Sequence, residues 1–417
     1  STSIHWHGII LPENMDGVPG VSFPGIKAGE SYHYEYDVQQ SGTYWYHSHS
    51  GLQEQLGHFG PLVIDPADGD IGADREHVII LSDWTFEDPD EVFRNLKVAE
   101  GYYNYQQRTL GDTFDDIRRQ GLAKTWQERS MWNEMRMSAR DLLDVTGSTY
   151  TYLMNGRDNS TNWTALYKPG EKIRLRIING SAMSFFDFRI PGLEMTVVSA
   201  DGQPIKPVTV DEFRIGVAET YDVIVTPKND RPYTLFAESM DRSGYVRGTL
   251  ATELGQEAPV PELRPVPERG MAAMGMSHEM GGMEMITTNE DQLGMDDHQE
   301  MSGGHGGHKA ATQQRPSAPD LGIEHAPGGH GPGAAMIARN PVSRLNEPGI
   351  GLENVDHRVL VYGDLIGAHS WPDDREPERD IELHLTGNME KYMWSFDGVK
   401  YTEVNGQVEF HHGERLR

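Results

Sequence analysis

Two short histidine pairs constrain the fold of this chain most: His5-Trp6-His7-Gly8 near the start, and Trp45-Tyr46-His47-Ser48-His49 further on. Successive side chains of a β-strand face opposite ways, so histidines at i and i+2 share a face. Two such segments laid side by side as neighbouring strands bring four imidazoles to one place. Imidazole is a common ligand for copper, zinc, iron and nickel. One pair alone reads as chance. Two pairs, each with a tryptophan beside or between the histidines, read as a metal site made of His5, His7, His47 and His49 on a β scaffold.

The rest of the chain is written in the same idiom, with one interruption. Alternating runs at 32–36 and 61–64, broken by Gly and Pro turns, predict strands up to Asp65-Pro66. The run His77-Val78-Ile79-Ile80-Leu81 opens a second unit. From 87 to 145 the sequence turns charged and aromatic, with helical spacing at Phe114/Ile117, Met131/Met135 and Leu142/Leu143, which predicts a partly helical insertion. Its methionines Met131, Met135 and Met137 read as packing residues. Strand patterns return at 150–156, 172–179, 195–198 and 221–225, in a stretch with no histidine between 78 and 277. From about 256 a proline cluster (Pro259, Pro261, Pro265, Pro267) leads into Gly/Met/His-rich sequence that cannot bury enough apolar surface to offset the entropy of ordering it. Strand character resumes at 359–362 and 381–385. A length of 417 residues suits two to three domains. The expected division is 1–75, 76–255 with the insertion at 87–145, a disordered linker at 256–355, and 356–417.

Composition excludes several partners. The 64 acidic residues outnumber the 36 basic ones for a net charge of −28, which argues against nucleic acid, whose phosphates demand a basic surface. No run reaches the ~18–20 apolar residues of a membrane span. There is no cysteine, so the chain has neither disulfides nor a thiolate for a metal.

Methionine is the remaining signal. Of the 19 methionines, eight fall at 271, 274, 276, 280, 283, 285, 295 and 301, with His278, His298, His305 and His308 among them. Thioether sulfur is a soft ligand that selects Cu(I). The spacing Met271-x-x-Met274-x-Met276-x-His278, continued by Met280, Met283 and Met285, lets several donors wrap one ion. A cuprous-binding loop is the expectation; its bland counterpart is a loop that merely raises the local copper concentration.

The stretch 3–65, with H-W-H-G, D-G-V-P-G and Y-H-S-H in order, resembles the first cupredoxin domain of multicopper oxidases. It is most similar to bacterial copper-resistance oxidases of the CopA/PcoA type, and the resemblance covers nearly the whole chain. It implies an all-β fold of tandem cupredoxin-like Greek-key β-sandwich domains with a partly helical insertion. Residues 387–398 resemble the opening of a third such domain. By the same resemblance His5 matches a type 2 copper ligand of the trinuclear cluster, His7 a type 3 ligand, and His47 and His49 the ligands completing this half of the type 3 pair. His58, soon after the second pair, is a second-shell candidate. The family's blue copper site needs a cysteine, and its H-C-H and H-x-x-H-x-H segments hold the other four cluster histidines. Neither segment is present, so the expectation is a piece of a longer protein, cut at both ends and inactive by itself. The implied reaction is four-electron reduction of O2 to water coupled to oxidation of Cu(I), or of phenols as in laccases, in the periplasm. A copper-sequestering protein without turnover is the rival from another class. Oligomeric state is left open.

Overall fold

The computed structural model describes residues 1–67, 69, 72–134, 137–270, 343–370, 373–388, 392–399 and 408–417. Its first layer is small. Strands β1 (His5–His7), β2 (Gly42–His47) and β3 (Phe59–Ile64) form an antiparallel sheet with β2 in the middle. The register sets His5 opposite His47, Trp6 opposite Tyr46 and His7 opposite Trp45. Tyr44 and Trp45 are both almost wholly buried, so β2 is covered on each of its faces.

The run at 32–36, expected to be a strand, has no ladder among the described residues. Its alternation survives nonetheless: Tyr32, Tyr34 and Tyr36 are half-buried, while His33 and Glu35 are exposed. Ring contacts replace backbone pairing, with Tyr34 5.4 Å and Tyr36 6.1 Å from Trp6. The Tyr34 hydroxyl also accepts the Ile4 amide at 3.2 Å.

The second unit is a β-sandwich. One sheet orders its strands β10-β9-β12-β7-β4-β5, the other β11-β8-β13-β14-β6. In chain order these are β4 (Arg75–Trp84), β5 (Thr151–Met154), β6 (Trp163–Leu166), β7 (Ile173–Asn179), β8 (Phe186–Arg189) and β9 (Met195–Ala200). They are followed by β10 (Gln203–Val210), β11 (Glu212–Ile215), β12 (Thr220–Val225), β13 (Tyr233–Ser239) and β14 (Tyr245–Ala251). The pairs β4–β7 and β14–β6 are parallel and the others antiparallel. Ile79, Leu81, Ile177, Phe186, Val223 and Leu235 fill the space between the sheets. Period two then sends Ile80 and Ile178 to the opposite face, where they pair in register and pack on Trp45 of the first sheet.

Beside that apolar contact lies a buried polar one. Thr43 donates to Asp222 at 2.7 Å and accepts from Arg176 at 2.8 Å, and Asp222 also takes the Arg174 guanidinium at 2.6 Å. Buried charges are tolerable only when paired and hydrogen-bonded, as these are.

The insertion is helical at α1 (Pro89–Val98), α2 (Leu110–Gln120) and α3 (Leu122–Glu134). Asp88 caps α1 ahead of a proline in its first turn. Thr109 and Asp112 close a capping box on α2, and Gly121, at φ 88°, ends it.

The expected linker needs correction at both ends. Arg264 forms hydrogen-bonded ion pairs with the fully buried Glu212 and Glu238, and Arg214 donates to the Ile350 carbonyl at 2.7 Å. Leu352 is 1% exposed. Proline and charge content suggested an open segment, but buried carboxylates of β11 and β13 supply partners that composition does not reveal. Residues 271–342 lie outside the described residues. Further on, the expected run at 359–362 makes a single bridge, Val359 to Glu212, and residues 381–384 join no ladder. The strands there are β15 (Leu385–Asn388) and β16 (Met393–Phe396), paired with each other.

Candidate metal centre

Strand alternation puts His5 and His7 on one face of β1, and the antiparallel register brings His47 across from His5. The donor nitrogens of His5, His7 and His47 all lie within 4.8 Å of one another. His49 follows the end of β2 and is exposed, with its ring 4.7 Å from that of His5 and 4.9 Å from that of His47. The amide of His49 is held by the Ser3 hydroxyl at 2.9 Å.

Hydrogen bonds decide which nitrogen each ring offers. The His5 Nδ1–H donates to the Asp16 carbonyl at 2.7 Å, with the Asp16 carboxylate 3.3 Å away, so Nε2 is left bare. The His47 Nδ1 faces the Ser48 carbonyl and the Glu54 carboxylate, each at 3.3 Å. Its Nε2 then meets Nδ1 of His7 at 3.2 Å. Two metal–nitrogen bonds of about 2 Å at a near-tetrahedral angle need a nitrogen–nitrogen separation close to that. Burial, reinforced by the neighbouring His47, His5 and His49, lowers the His7 pKa to about 4. Partial desolvation by the surrounding protein, with the neighbouring His5 and His47, also lowers that of His49, although the residue is exposed overall. Both rings are therefore neutral near pH 7, the form in which imidazole binds a metal. Three convergent imidazole nitrogens, two of them with hydrogen-bond acceptors behind the ring, fit copper, for which imidazole is a suitable ligand.

Trp45 forms the back wall. Its indole stacks on His47 at 4.3 Å between ring centres and on His7 at 5.1 Å. A small cavity of about 260 Å³ opens beside His7, lined also by Thr43, Trp45, Asp201 and Glu219.

Asp16, Glu54 and Trp45 were not singled out as functional from sequence. Gly17 is what lets Asp16 reach His5. At φ 77° a side chain on Gly17 would strike the Ile4 carbonyl of β1 at 1.8 Å. For Glu54 the available signal was an acid a few residues after a histidine pair, which is too common to notice.

The other candidates fall elsewhere. His58 reaches the site only through its backbone: its carbonyl takes the Ser48 amide at 3.0 Å, while its ring faces Thr2 at 3.3 Å. His33, His411 and His412 are exposed. Asp83 is buried and accepts the amides of Ala182, Met183 and Ser184, a structural clamp. Met271, Met274, Met276, His278, Met280, Met283 and Met285 lie outside the described residues.

Two family models, both described as multicopper oxidase, match residues 1–69 and 75–255. Copper resistance protein A of Escherichia coli is 51% identical across 100% of this chain and 71% of its own length. Multicopper oxidase MmcO of Mycobacterium tuberculosis is 34% identical over 63% of this chain and 49% of that protein. A laccase structure from Botrytis aclada is 29% identical, with a TM-score of 0.46, over 64% of this chain and 45% of the laccase. The chain thus spans about seven tenths of copper resistance protein A and under half of the laccase. It belongs to the multicopper oxidase family, the copper-dependent oxidoreductases, with its full length aligned to the copper-resistance branch.

Proposed function

We propose that His5, His7, His47 and His49 hold copper as half the ligand set of a trinuclear cluster, within a copper-resistance oxidase that oxidises Cu(I). The observation that carries this is the convergence of the His5, His7 and His47 donors within 4.8 Å on two paired strands. His5 stands in the type 2 position, and His7, His47 and His49 in type 3 positions. Bound copper supplies one-electron redox chemistry and the site at which O2 is reduced to water. The chain's own residues prepare that site. Asp16 keeps the His5 proton on Nδ1, Ser48 and Glu54 do the same for His47, and Trp45 shields two of the rings from water.

The 417 residues hold no cysteine, so this stretch supplies no thiolate for a blue copper. The second reading is a chain that binds copper without turnover. Cu(I) is the proposed substrate because the methionine spacing at 271–285 suits a soft ion. Phenols are the alternative within the same chemistry, and the periplasm is the proposed location. The proposed organisation is 1–75 and 76–255 as successive cupredoxin-like units, with a third beginning near 356.

A fusion to a C-terminal segment bearing the family's H-C-H and H-x-x-H-x-H motifs tests the reading. Copper-loaded fusion is expected to turn blue and to consume O2 with Cu(I), and His47→Ala is expected to abolish consumption. A fusion that binds copper tightly and consumes no O2 would favour sequestration.

A further inference from the structure

We infer that the second sandwich aims the metal ligands of the first sheet, through Trp45. This rests on the copper reading above but concerns how the rings are held. Residues 43, 45 and 47 share one face of β2 by strand alternation. Thr43 is fully buried and tied to Asp222 and Arg176 of the second unit. Trp45, 1% exposed, packs on Ile80 and Ile178. His47 is the next residue on that face. The interface between the two units therefore runs directly into the metal site.

The side-chain chemistry makes this consequential. The outer torsion of histidine is broad, so a ring needs a wall or a hydrogen bond to fix its plane. Trp45 gives that wall to two rings at once, lying within 16° of parallel to His47 and within 30° of parallel to His7. The indole is itself fixed by Ile80 and Ile178, adjacent in the β4–β7 register. Trp45 is thus a positioning residue, and Ile178 acts through it. Neither touches the metal.

The strand offers its own control. Ile177, next to Ile178, faces the interior of the sandwich and is equally buried. Ile177→Ala and Ile178→Ala remove the same side chain from one strand and are expected to lower stability comparably. Only Ile178→Ala is expected to shift the ring-proton resonances of His7 and His47 in the metal-free chain. Only it should weaken Cu(II) binding, by about tenfold in chelator competition, on the scale of losing an outer-shell support. Trp45→Phe should keep most of the wild-type spectrum and Trp45→Ala should reproduce the Ile178→Ala shifts. If Ile178→Ala does not fold, Ile178→Val against Ile177→Val carries the comparison at smaller amplitude. Equal effects of the two isoleucine changes on the histidine resonances, or none from either, would overturn the inference. A wild-type chain that binds no Cu(II) would instead overturn the copper reading, and the metal-free spectra would still decide this one.

Discussion

The first sheet has three strands, of which β1 and β2 bring in the candidate ligands, whereas the adjoining sandwich has eleven strands among the described residues and carries His77 alone of the histidines, away from the site. In the sandwich, β7 and β13 are buried along their whole length. In the first sheet β1 is half-exposed throughout. The difference teaches a division of labour. A site that must admit an ion needs open edges, and open edges bury too little surface to stay rigid alone. The larger unit provides the missing rigidity where β2 lies against it.

Breaking the interface should therefore have the largest effect on stability. Asp222→Ala takes the buried carboxylate away from Arg174 and Arg176, with Glu76 still beside both guanidinium groups. Loss of about 3 kcal/mol or more is expected in denaturant unfolding, the scale for removing one partner of a buried ion pair. A loss below ~1 kcal/mol would show that the units are coupled by apolar contact alone.

A pH experiment probes the place where the insertion meets the turn before β16. Burial raises the Asp144 pKa to about 6, although Tyr392 donates to its carboxylate at 2.9 Å. The folded form thus holds its proton more tightly than the unfolded chain, whose aspartate titrates near 3.9. The stability this provides is complete below pH ~4 and is lost as pH rises through about 6. Its ceiling is on the order of 2–3 kcal/mol. Asp144→Asn should flatten that part of the stability–pH curve; an unchanged curve would place the titration elsewhere.

Smaller effects are expected in the first sheet. Tyr34→Phe removes the acceptor of the Ile4 amide beside β1 and should cost about 1 kcal/mol. Smallest of all is deletion of 271–301, which shortens a long connection and alters loop-closure entropy by only ~0.5 kcal/mol. Within the fused oxidase, the same deletion should slow Cu(I) oxidation more than turnover of a bulky phenol. Equal slowing of both would remove the case for a cuprous-binding segment.

These comparisons also mark where sequence reading succeeds. Period two in β7, β9 and β12, and the i, i+2 histidine pairs, were legible because alternation is a local property of the chain. The helical insertion was legible through spacing such as Phe114/Ile117, which lies on α2, whereas Leu142/Leu143 fall outside the helices. The run at 32–36 misled because alternation reports which side chains are buried. Whether a backbone ladder forms depends on a partner strand. The ends of the expected linker misled because Arg264 finds Glu212 and Glu238 only in three dimensions. Trp45 was visible as a tryptophan near histidines, but its backing by Ile178 spans more than a hundred residues of sequence and leaves no local trace.

The central claim is that His5, His7 and His47 on two paired strands, with His49 just past the second, form one copper site. Cu(II) titration of the chain, with electron paramagnetic resonance of the bound ion and each of His5, His7, His47 and His49 replaced singly by Ala, tests it most directly. The account predicts nitrogen-coupled copper and no intense blue band. It also predicts that His5→Ala, His7→Ala and His47→Ala weaken binding beyond the ~10–100-fold cost of losing an outer-shell partner, with His49→Ala, the exposed member, weakening it least. Copper bound equally well by all four variants would contradict it.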